Sequence, residues 1–303
     1  MDESYHKEIS EMSEFKGVFP ALVTPFDSED ALNENAFRRI VEFNIKAGAH
    51  GFWVAGGAGE SVMLDDEENN RISEIAAELS SGRALTIMHV GAPTTRRAAR
   101  MAEHAAGAGV DAICCVPPFF YRPDDESVVE HYRVIGSSTD LPLYIYNLPQ
   151  CTGVEITVDL IEKIQDRVPE LAGLKHSGPA FGTTRHFAKR GLSCFIGSAA
   201  LLLPALDIGA CGCVDGPLSL APDLWVNIWD AYHLGDLELA RTEQDRAAEL
   251  YTIFQRAGYI ASMKALLSEK LGIDCGVPRL PGRPLTSGQE KFVIEKAGDL
   301  GLL

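Results

Sequence analysis

Residues 141–149 read LPLYIYNLP, and residues 171–178 read LAGLKHSG. Both are short apolar runs whose polar residues stand near the end of the run. Runs of this length without polar alternation are typical of parallel strands that are buried on both faces. The two stretches therefore predict consecutive strands of an α/β fold.

Six further runs of the same kind are distributed along the chain. They are GVFPALVTP (17–25), GFWVAG (51–56), ALTIMHVG (84–91), DAICCVPP (111–118), LSCFIGS (192–198) and GACGCVDG (209–216). Amphipathic stretches separate the runs, as in residues 33–46, where Phe37, Ile40, Val41 and Ile45 share one stripe. Eight strand–helix units over about 220 residues predict a (β/α)8 TIM barrel.

The domain organisation follows from this pattern. Residues 16–235 are predicted to form the barrel, and residues 236–303 a C-terminal helical region packed on it. Residues 1–15 are polar and acidic, which predicts a flexible leader and not a secretory signal. The alternative fold, a doubly wound open sheet, would need a glycine-rich phosphate turn after the first strand, where this chain has VTPF (23–26).

Composition excludes several classes of protein. The 303 residues include 27 basic and 43 acidic side chains, for a net charge of −16, and nucleic-acid-binding proteins carry basic faces instead. A hydrophobic content of 46% excludes a disordered chain, and no apolar run approaches the roughly 18 residues of a membrane span. The seven cysteines stand mostly in apolar runs, which indicates a reducing compartment. We therefore predict a cytoplasmic protein with neither nucleic acid nor a membrane as partner.

The most informative candidate for chemistry is Lys175. TIM barrels carry their active sites at the C-terminal ends of the strands. Lys175 closes the apolar run LAGL, so its amine is predicted to point into the barrel mouth. An amine that has lost its proton attacks carbonyl carbons, so Lys175 is a candidate Schiff-base lysine. The alternatives are a lysine paired with a carboxylate and one that reaches solvent.

Other strand ends supply weaker candidates. Tyr146 ends the neighbouring strand and could relay a proton, because a phenol both donates and accepts, or it could be a core tyrosine. The turn GGAGES (56–61) exposes backbone N–H groups that suit a carboxylate or phosphate, unless it is only a tight bend. His89 is expected to fill the core, and Glu60 to hold loops together through buried hydrogen bonds. No cluster has the spacing of a zinc or magnesium site, so no metal is predicted.

From residue 16 to about residue 300, the chain resembles the pyruvate-dependent class I aldolases of the N-acetylneuraminate lyase and dihydrodipicolinate synthase group. The shared motifs are GVFPALVTPF (17–26), G-x-x-G-E (56–60), PPFFYRP (117–123), YNLP (146–149) with Thr152-Gly153, and GLK (173–175). Three further stretches are closer to the N-acetylneuraminate lyase branch: MHVGAPT (88–94), HYRVI (131–135) and GVPRLP (276–281).

The resemblance implies roles for individual residues. Lys175 would form an imine with the keto carbon of pyruvate, and Tyr146 would shuttle a proton. The substrate-binding set would be Gly57, Ala58, Gly59, Phe120, Ser177, Gly197, Ser198 and Val214. Family resemblance further implies no metal or organic cofactor, a 2-keto acid and an aldehyde as small-molecule partners, and a homotetramer.

The chain also departs from the family pattern. Gly57-Ala58 stands where the family has two hydroxyl residues, and each lost contact costs about 1–3 kcal/mol if nothing replaces it. Phe120 replaces a second relay tyrosine that a neighbouring subunit contributes, and Cys151 replaces an arginine for the aldehyde's carboxylate. Ala199-Ala200 replaces the Asp-Glu pair with which the lyases bind sugar hydroxyls. Dihydrodipicolinate and N-acetylneuraminate are therefore disfavoured as the product and the substrate.

Two residues are candidate substitutes for the missing groups, His176 and Asp215. His176 is expected to face away from the barrel interior because it alternates with Lys175. We predict a Schiff-base aldolase or lyase that forms or cleaves a C–C bond of a 2-keto acid, with pyruvate as donor or product. The alternatives are a dihydrodipicolinate synthase or N-acetylneuraminate lyase with re-sited relay residues, and a non-catalytic keto-acid-binding barrel.

Overall fold

The computed structural model describes residues 15–303, so the predicted leader lies outside the described residues except for Phe15. Eight parallel strands form one sheet in the order β1-β8-β7-β6-β5-β4-β3-β2. The strands are β1 (Gly17–Pro20), β2 (Gly51–Val54), β3 (Leu85–His89), β4 (Ala112–Cys115), β5 (Leu143–Asn147), β6 (Leu171–His176), β7 (Ser193–Ile196) and β8 (Gly212–Asp215).

Backbone hydrogen bonds between β1 and β2 complete the ring. His50 N donates to Val18 O at 3.0 Å, and Leu22 N donates to Trp53 O at 3.1 Å. Ala21 forms an additional parallel bridge with Trp53. All eight predicted strands are present, and the predicted TIM barrel is confirmed.

Helices alternate with the strands and continue after the last one. They are α1 (Glu34–Lys46), α2 (Asp66–Ser80), α3 (Thr95–Ala108), α4 (Asp125–Gly136), α5 (Pro149–Thr152), α6 (Val158–Gln165), α7 (Thr184–Ala188), α8 (Leu202–Asp207), α9 (Pro222–Leu234), α10 (Leu237–Ala257), α11 (Tyr259–Leu271) and α12 (Ser287–Asp299). Helix α1 starts where the sequence predicts it, because the Asn33 side chain caps it by accepting from Ala36 N at 3.1 Å. The predicted C-terminal helices are confirmed as α10, α11 and α12.

Large aromatic side chains fill the barrel interior below the level of the strand ends. Phe19 and Phe195 stack at 4.9 Å between ring centres, and Tyr144 lies 6.1 Å from Phe195. All three side chains are fully buried. Because this part of the barrel is packed solid, open space is left at the C-terminal ends of the strands.

Across residues 15–303, every helix is too short or too polar to cross a membrane.

Candidate active site

A cavity of about 520 Å³ opens at the C-terminal ends of the strands. Lys175 of β6 lies in its wall and is only 4% exposed. The Lys175 Nζ lies 4.4 Å from the centre of the Tyr146 ring and 5.5 Å from that of Trp53. Within residues 15–303, no carboxylate pairs with this amine. Lys175 therefore fits neither the ion-paired nor the solvent-reaching alternative.

Tyr146 stands beside Lys175 on the adjacent strand, as the β5–β6 register pairs the two residues directly. The phenol ring meets Trp53 edge-on at 5.6 Å and His89 edge-on at 6.1 Å. A Cβ placed at Gly57 would lie 3.5 Å from the Tyr146 hydroxyl. The lysine, the tyrosine and the glycine turn thus converge on one wall of the cavity, as the sequence predicts.

The turn at residues 56–61 offers two backbone donors to the cavity. Its later N–H groups are used internally, since Gly59 N donates to Gly56 O at 3.0 Å and Glu60 N to Gly57 O at 3.2 Å. In the described part of the chain, the N–H groups of Gly57 and Ala58 donate to no protein group, and both residues line the cavity. Paired donors of this kind suit a carboxylate.

Ser177, Gly197 and Ser198 form another part of the wall, where β6 and β7 end. Gly197 N donates to His176 O at 2.8 Å, which draws the two strand ends together. A Cβ at Gly197 would collide with the Ser177 hydroxyl, so this close approach requires glycine.

Three residues of the predicted substrate-binding set lie away from the cavity. A Cβ at Gly59 would press against Leu22 O, so this glycine packs beneath the turn. Val214 is fully buried opposite Phe19 in the β1–β8 ladder, and its neighbour Asp215 reaches the cavity instead. Phe120 is 86% exposed, because its backbone takes a left-handed conformation with φ at 78°.

A smaller apolar lobe of about 290 Å³ adjoins the main cavity. Phe119, rather than Phe120, lies in its wall, together with Tyr146 and His89. Burial first, and then the charge of Lys175, lower the pKa of His89 to about 4, so its imidazole is neutral at pH 7. His89 was expected to fill the core, and the structure places it in the wall of this lobe.

His176 turns away from the barrel interior, which confirms the expectation from strand alternation. Its ring packs against Phe187 of α7 at 5.4 Å, and its Nδ1 lies 3.1 Å from the Asn147 side-chain nitrogen. Burial lowers the pKa of His176. This residue therefore supports β6 from the helix side.

Two residues of the cavity wall come from the C-terminal helices and are missed by the sequence reasoning. They are Tyr251 of α10 and Tyr259 of α11. The Tyr259 hydroxyl donates to Asp215 Oδ1 at 2.5 Å. A tyrosine on an amphipathic helix has the same pattern as a core residue, so the sequence carries no signal for either position.

The described residues contain no group of three or more His, Cys, Asp or Glu side chains arranged to hold a metal ion. A buried, unpaired lysine at the C-terminal mouth of a (β/α)8 barrel, beside a tyrosine and two free amides, defines an aldolase-type site for carbonyl substrates.

Residues 14–297 match the model of the dihydrodipicolinate synthetase family, and the chain belongs to that family. An uncharacterized DapA-like lyase from Halobacterium salinarum is 35% identical over 95% of this chain and 94% of its own length. A 4-hydroxy-tetrahydrodipicolinate synthase from Methanothrix thermoacetophila is 32% identical over 94% of this chain and 98% of its own. An N-acetylneuraminate lyase from Rhizobium meliloti is also 32% identical, over 89% and 87% of the two chains.

Solved structures are also similar to this chain over nearly its whole length. CdNal from Clostridium difficile, in complex with mannosamine, superimposes with a TM-score of 0.90 at 28% identity, over 94% of this chain and 99% of its own. A catalytic lysine mutant of Ruminococcus gnavus sialic acid aldolase gives 0.91 at 25% identity, over 95% and 96%. The family consists of class I, pyruvate-dependent Schiff-base aldolases, and the chain is a carbon–carbon lyase of this class.

Proposed function

We propose that this chain forms or cleaves a C–C bond of a 2-keto acid through an imine between Lys175 and pyruvate. The observation that carries the proposal is the Lys175 amine, buried without a carboxylate partner in a cavity that it shares with Tyr146. A lysine amine in the wall of a substrate-sized cavity can attack the carbonyl carbon of a bound keto acid. No metal or organic cofactor enters the proposed reaction.

The pyruvate carboxylate binds the N–H groups of Gly57 and Ala58, which places its keto carbon near Lys175. The Lys175 nitrogen attacks that carbon, and the carbonyl oxygen takes up a proton from solvent and leaves as water, which produces a protonated imine. The methyl carbon then gives up a proton to water in the cavity, which produces an enamine because the imine nitrogen accepts the electron pair.

The enamine carbon attacks the aldehyde carbon, and the aldehyde oxygen takes a proton from Tyr146. Water then hydrolyses the protonated imine, which releases the longer 2-keto acid and restores the lysine, and the proton set free in this step restores the Tyr146 phenol. Cleavage is the reverse sequence, in which Tyr146 accepts the proton from the substrate hydroxyl. Ser177, Gly197 and Ser198 complete the pocket around the reacting atoms.

We further propose that the protein is a cytoplasmic homotetramer. All seven cysteines are free, which suits a reducing compartment. Phe120 and Tyr121 are 86% and 81% exposed on one loop, and a neighbouring subunit would cover them. Light scattering on the purified protein tests the tetramer, and a monomer would contradict it.

The proposed imine is tested by incubating the protein with pyruvate, reducing with borohydride and mapping the modified peptide by mass spectrometry. We expect the adduct at Lys175, and none in Lys175→Ala. Lys264 is an internal control, because it is fully buried but paired with Glu60. An adduct at Lys264, or an undiminished adduct in Lys175→Ala, contradicts the assignment. A folded protein without any adduct favours the non-catalytic keto-acid-binding barrel.

A further inference from the structure

Asp215, the last residue of β8, lies in the cavity wall on the side of the C-terminal helices and is 8% exposed. Three donors fix its carboxylate. Oδ1 accepts from the Tyr259 hydroxyl at 2.5 Å and from Gly216 N at 2.8 Å, and Oδ2 accepts from Ala199 N at 2.9 Å. Within residues 15–303, no cationic side chain pairs with it.

The two tyrosines beside this carboxylate keep their hydroxyl protons. Burial, followed by the negative charge of Asp215, raises the pKa of Tyr259 well above its ordinary value. The same two causes raise the pKa of Tyr251. The cavity therefore ends in one oriented carboxylate and two phenols that can donate or accept hydrogen bonds.

Few charged side chains line the cavity, and each has a different function in the proposed reaction. Asp215 supplies the carboxylate of the lining and Lys175 its amine; the lining also includes His176 but no arginine. In the proposed reaction, Lys175 becomes the imine and the pyruvate carboxylate occupies the amides of Gly57 and Ala58. No cationic side chain remains in the lining to pair with a second anionic group on the substrate.

Asp215 lies next to the segment in which the family resemblance implies that a pair of acids is missing. Its Oδ2 accepts the N–H of Ala199, the first residue of Ala199-Ala200 after β7. A carboxylate has about four lone-pair sites, and the three donors leave one of them free on Oδ2. A substrate hydroxyl can donate to this site, whereas a substrate carboxylate or phosphate would be repelled.

We propose that Asp215, oriented by Tyr259, is the specificity-determining residue for the aldehyde portion of the substrate, accepting a hydrogen bond from an uncharged, hydroxyl-bearing aldehyde and excluding anionic ones. The inference rests on the proposed function, because it assumes that pyruvate occupies the opposite end of the cavity. The substrate class that follows is that of aldehydes that carry hydroxyl groups and no negative charge.

The test compares two aldehydes with the same carbon skeleton, glyceraldehyde and glyceraldehyde 3-phosphate, each condensed with pyruvate by the purified full-length protein. We expect the wild-type protein to favour glyceraldehyde by about 100-fold or more in kcat/KM, because repulsion acts only on the phosphate. Asp215→Asn should reduce this preference at least tenfold, through a higher KM for glyceraldehyde and a lower KM for the phosphorylated aldehyde.

Tyr259→Phe is the second variant, since it removes one donor from the carboxylate and retains the negative charge. It should lower kcat/KM for glyceraldehyde and still exclude the phosphorylated aldehyde. If Asp215→Asn does not fold, the inference is tested by the ratio of the wild-type kcat/KM values for the two aldehydes. A wild-type protein that uses both aldehydes equally overturns the inference.

A purely structural role for Asp215 would give a different result. Asp215→Asn would then lower kcat for both aldehydes alike, with their ratio unchanged, and this outcome overturns the inference. Borohydride trapping of pyruvate on the wild-type protein separates the two proposals. An adduct at Lys175 with an unchanged aldehyde ratio overturns this inference alone, whereas the absence of any adduct overturns the proposed function as well.

Discussion

Glu60 and Lys264 form a buried ion pair, with 2.7 Å between Glu60 Oε1 and Lys264 Nζ and with side chains 4% and 1% exposed. Glu60 Oε2 also accepts the N–H of Arg279 at 2.8 Å, and Lys264 Nζ donates to Val277 O at 2.9 Å. The pair ties the turn that carries Gly57 to the C-terminal helices. The expectation that Glu60 holds loops together is confirmed, and the carboxylate-binding turn depends on a region outside the barrel.

Breaking this pair should strongly destabilise the protein. Lys264→Met leaves the Glu60 carboxylate buried without its partner, which costs about 3–5 kcal/mol. Urea unfolding measures the loss, and the double variant Lys264→Met, Glu60→Gln should lose less than the sum of the single variants. Arg38→Met is the control, because the Arg38–Glu78 pair is exposed to solvent and such pairs contribute little to stability. A loss no greater than that of the control would contradict the prediction.

Restoring hydroxyl groups at the turn should tighten pyruvate binding. A Cβ at Gly57 meets only the Tyr146 hydroxyl at 3.5 Å, so the Gly57→Thr change of the double variant Gly57→Thr with Ala58→Thr has room for its Cβ. One added hydrogen bond contributes about 1 kcal/mol, or about fivefold in affinity by calorimetry. Gly57→Val with Ala58→Val has the same shape without the hydroxyls and should show no gain. Equal affinities for the threonine and valine pairs would count against placing the carboxylate at this turn.

Removing the Tyr146 hydroxyl should slow the C–C step more than imine formation. Tyr146→Phe keeps the ring against Trp53 and Lys175 but loses the proton relay, for an expected decrease in kcat of about 10²- to 10⁴-fold. Borohydride trapping should still detect the pyruvate adduct. Tyr144→Phe is the matched control, because Tyr144 lies two residues earlier on β5 and is fully buried outside the cavity. Similar losses in both variants would argue against a relay.

The barrel and its lysine could be predicted because the responsible signals are local. Parallel strands buried on both faces leave continuous apolar runs, and Lys175 interrupts one of them at its end. The residues at which the strands end are harder to predict from the sequence. The run 17–25 is a strand only over Gly17–Pro20, and the next residue adds one more bond to the adjacent strand β8, where Ala21 N donates to Asp215 O at 3.0 Å.

The rest of the site depends on long-range packing. Strand alternation separates Val214 from Asp215 but does not say which of them reaches the cavity, and the docking of Tyr259 decides in favour of Asp215. The position of Phe120 depends on a single left-handed residue, which no apolar pattern encodes. Tyr251 enters the site because α10 packs on the barrel, a contact between segments far apart in sequence.

A buried histidine outside the cavity should make stability depend on pH below neutrality. His131 is 2% exposed, with its Nδ1 2.9 Å from the Thr95 hydroxyl and its Nε2 3.5 Å from Cys115 Sγ. Burial lowers the pKa of His131 from 6.5 to about 4. Between these two pH values the unfolded chain binds more protons than the folded one, so stability is full above pH 6.5 and falls as the pH drops.

The expected loss from His131 is about 2 kcal/mol between pH 7 and pH 5. Urea unfolding at pH 7 and at pH 5 measures how much the free energy of unfolding decreases between the two pH values. This decrease should be smaller in His131→Gln than in the wild-type protein, by about 2 kcal/mol. His186→Gln, at an exposed position on α7, is the control and should leave the difference unchanged. If His131→Gln retains the full wild-type dependence, the imidazole is charged in the folded protein and its burial is not the cause of the acid sensitivity.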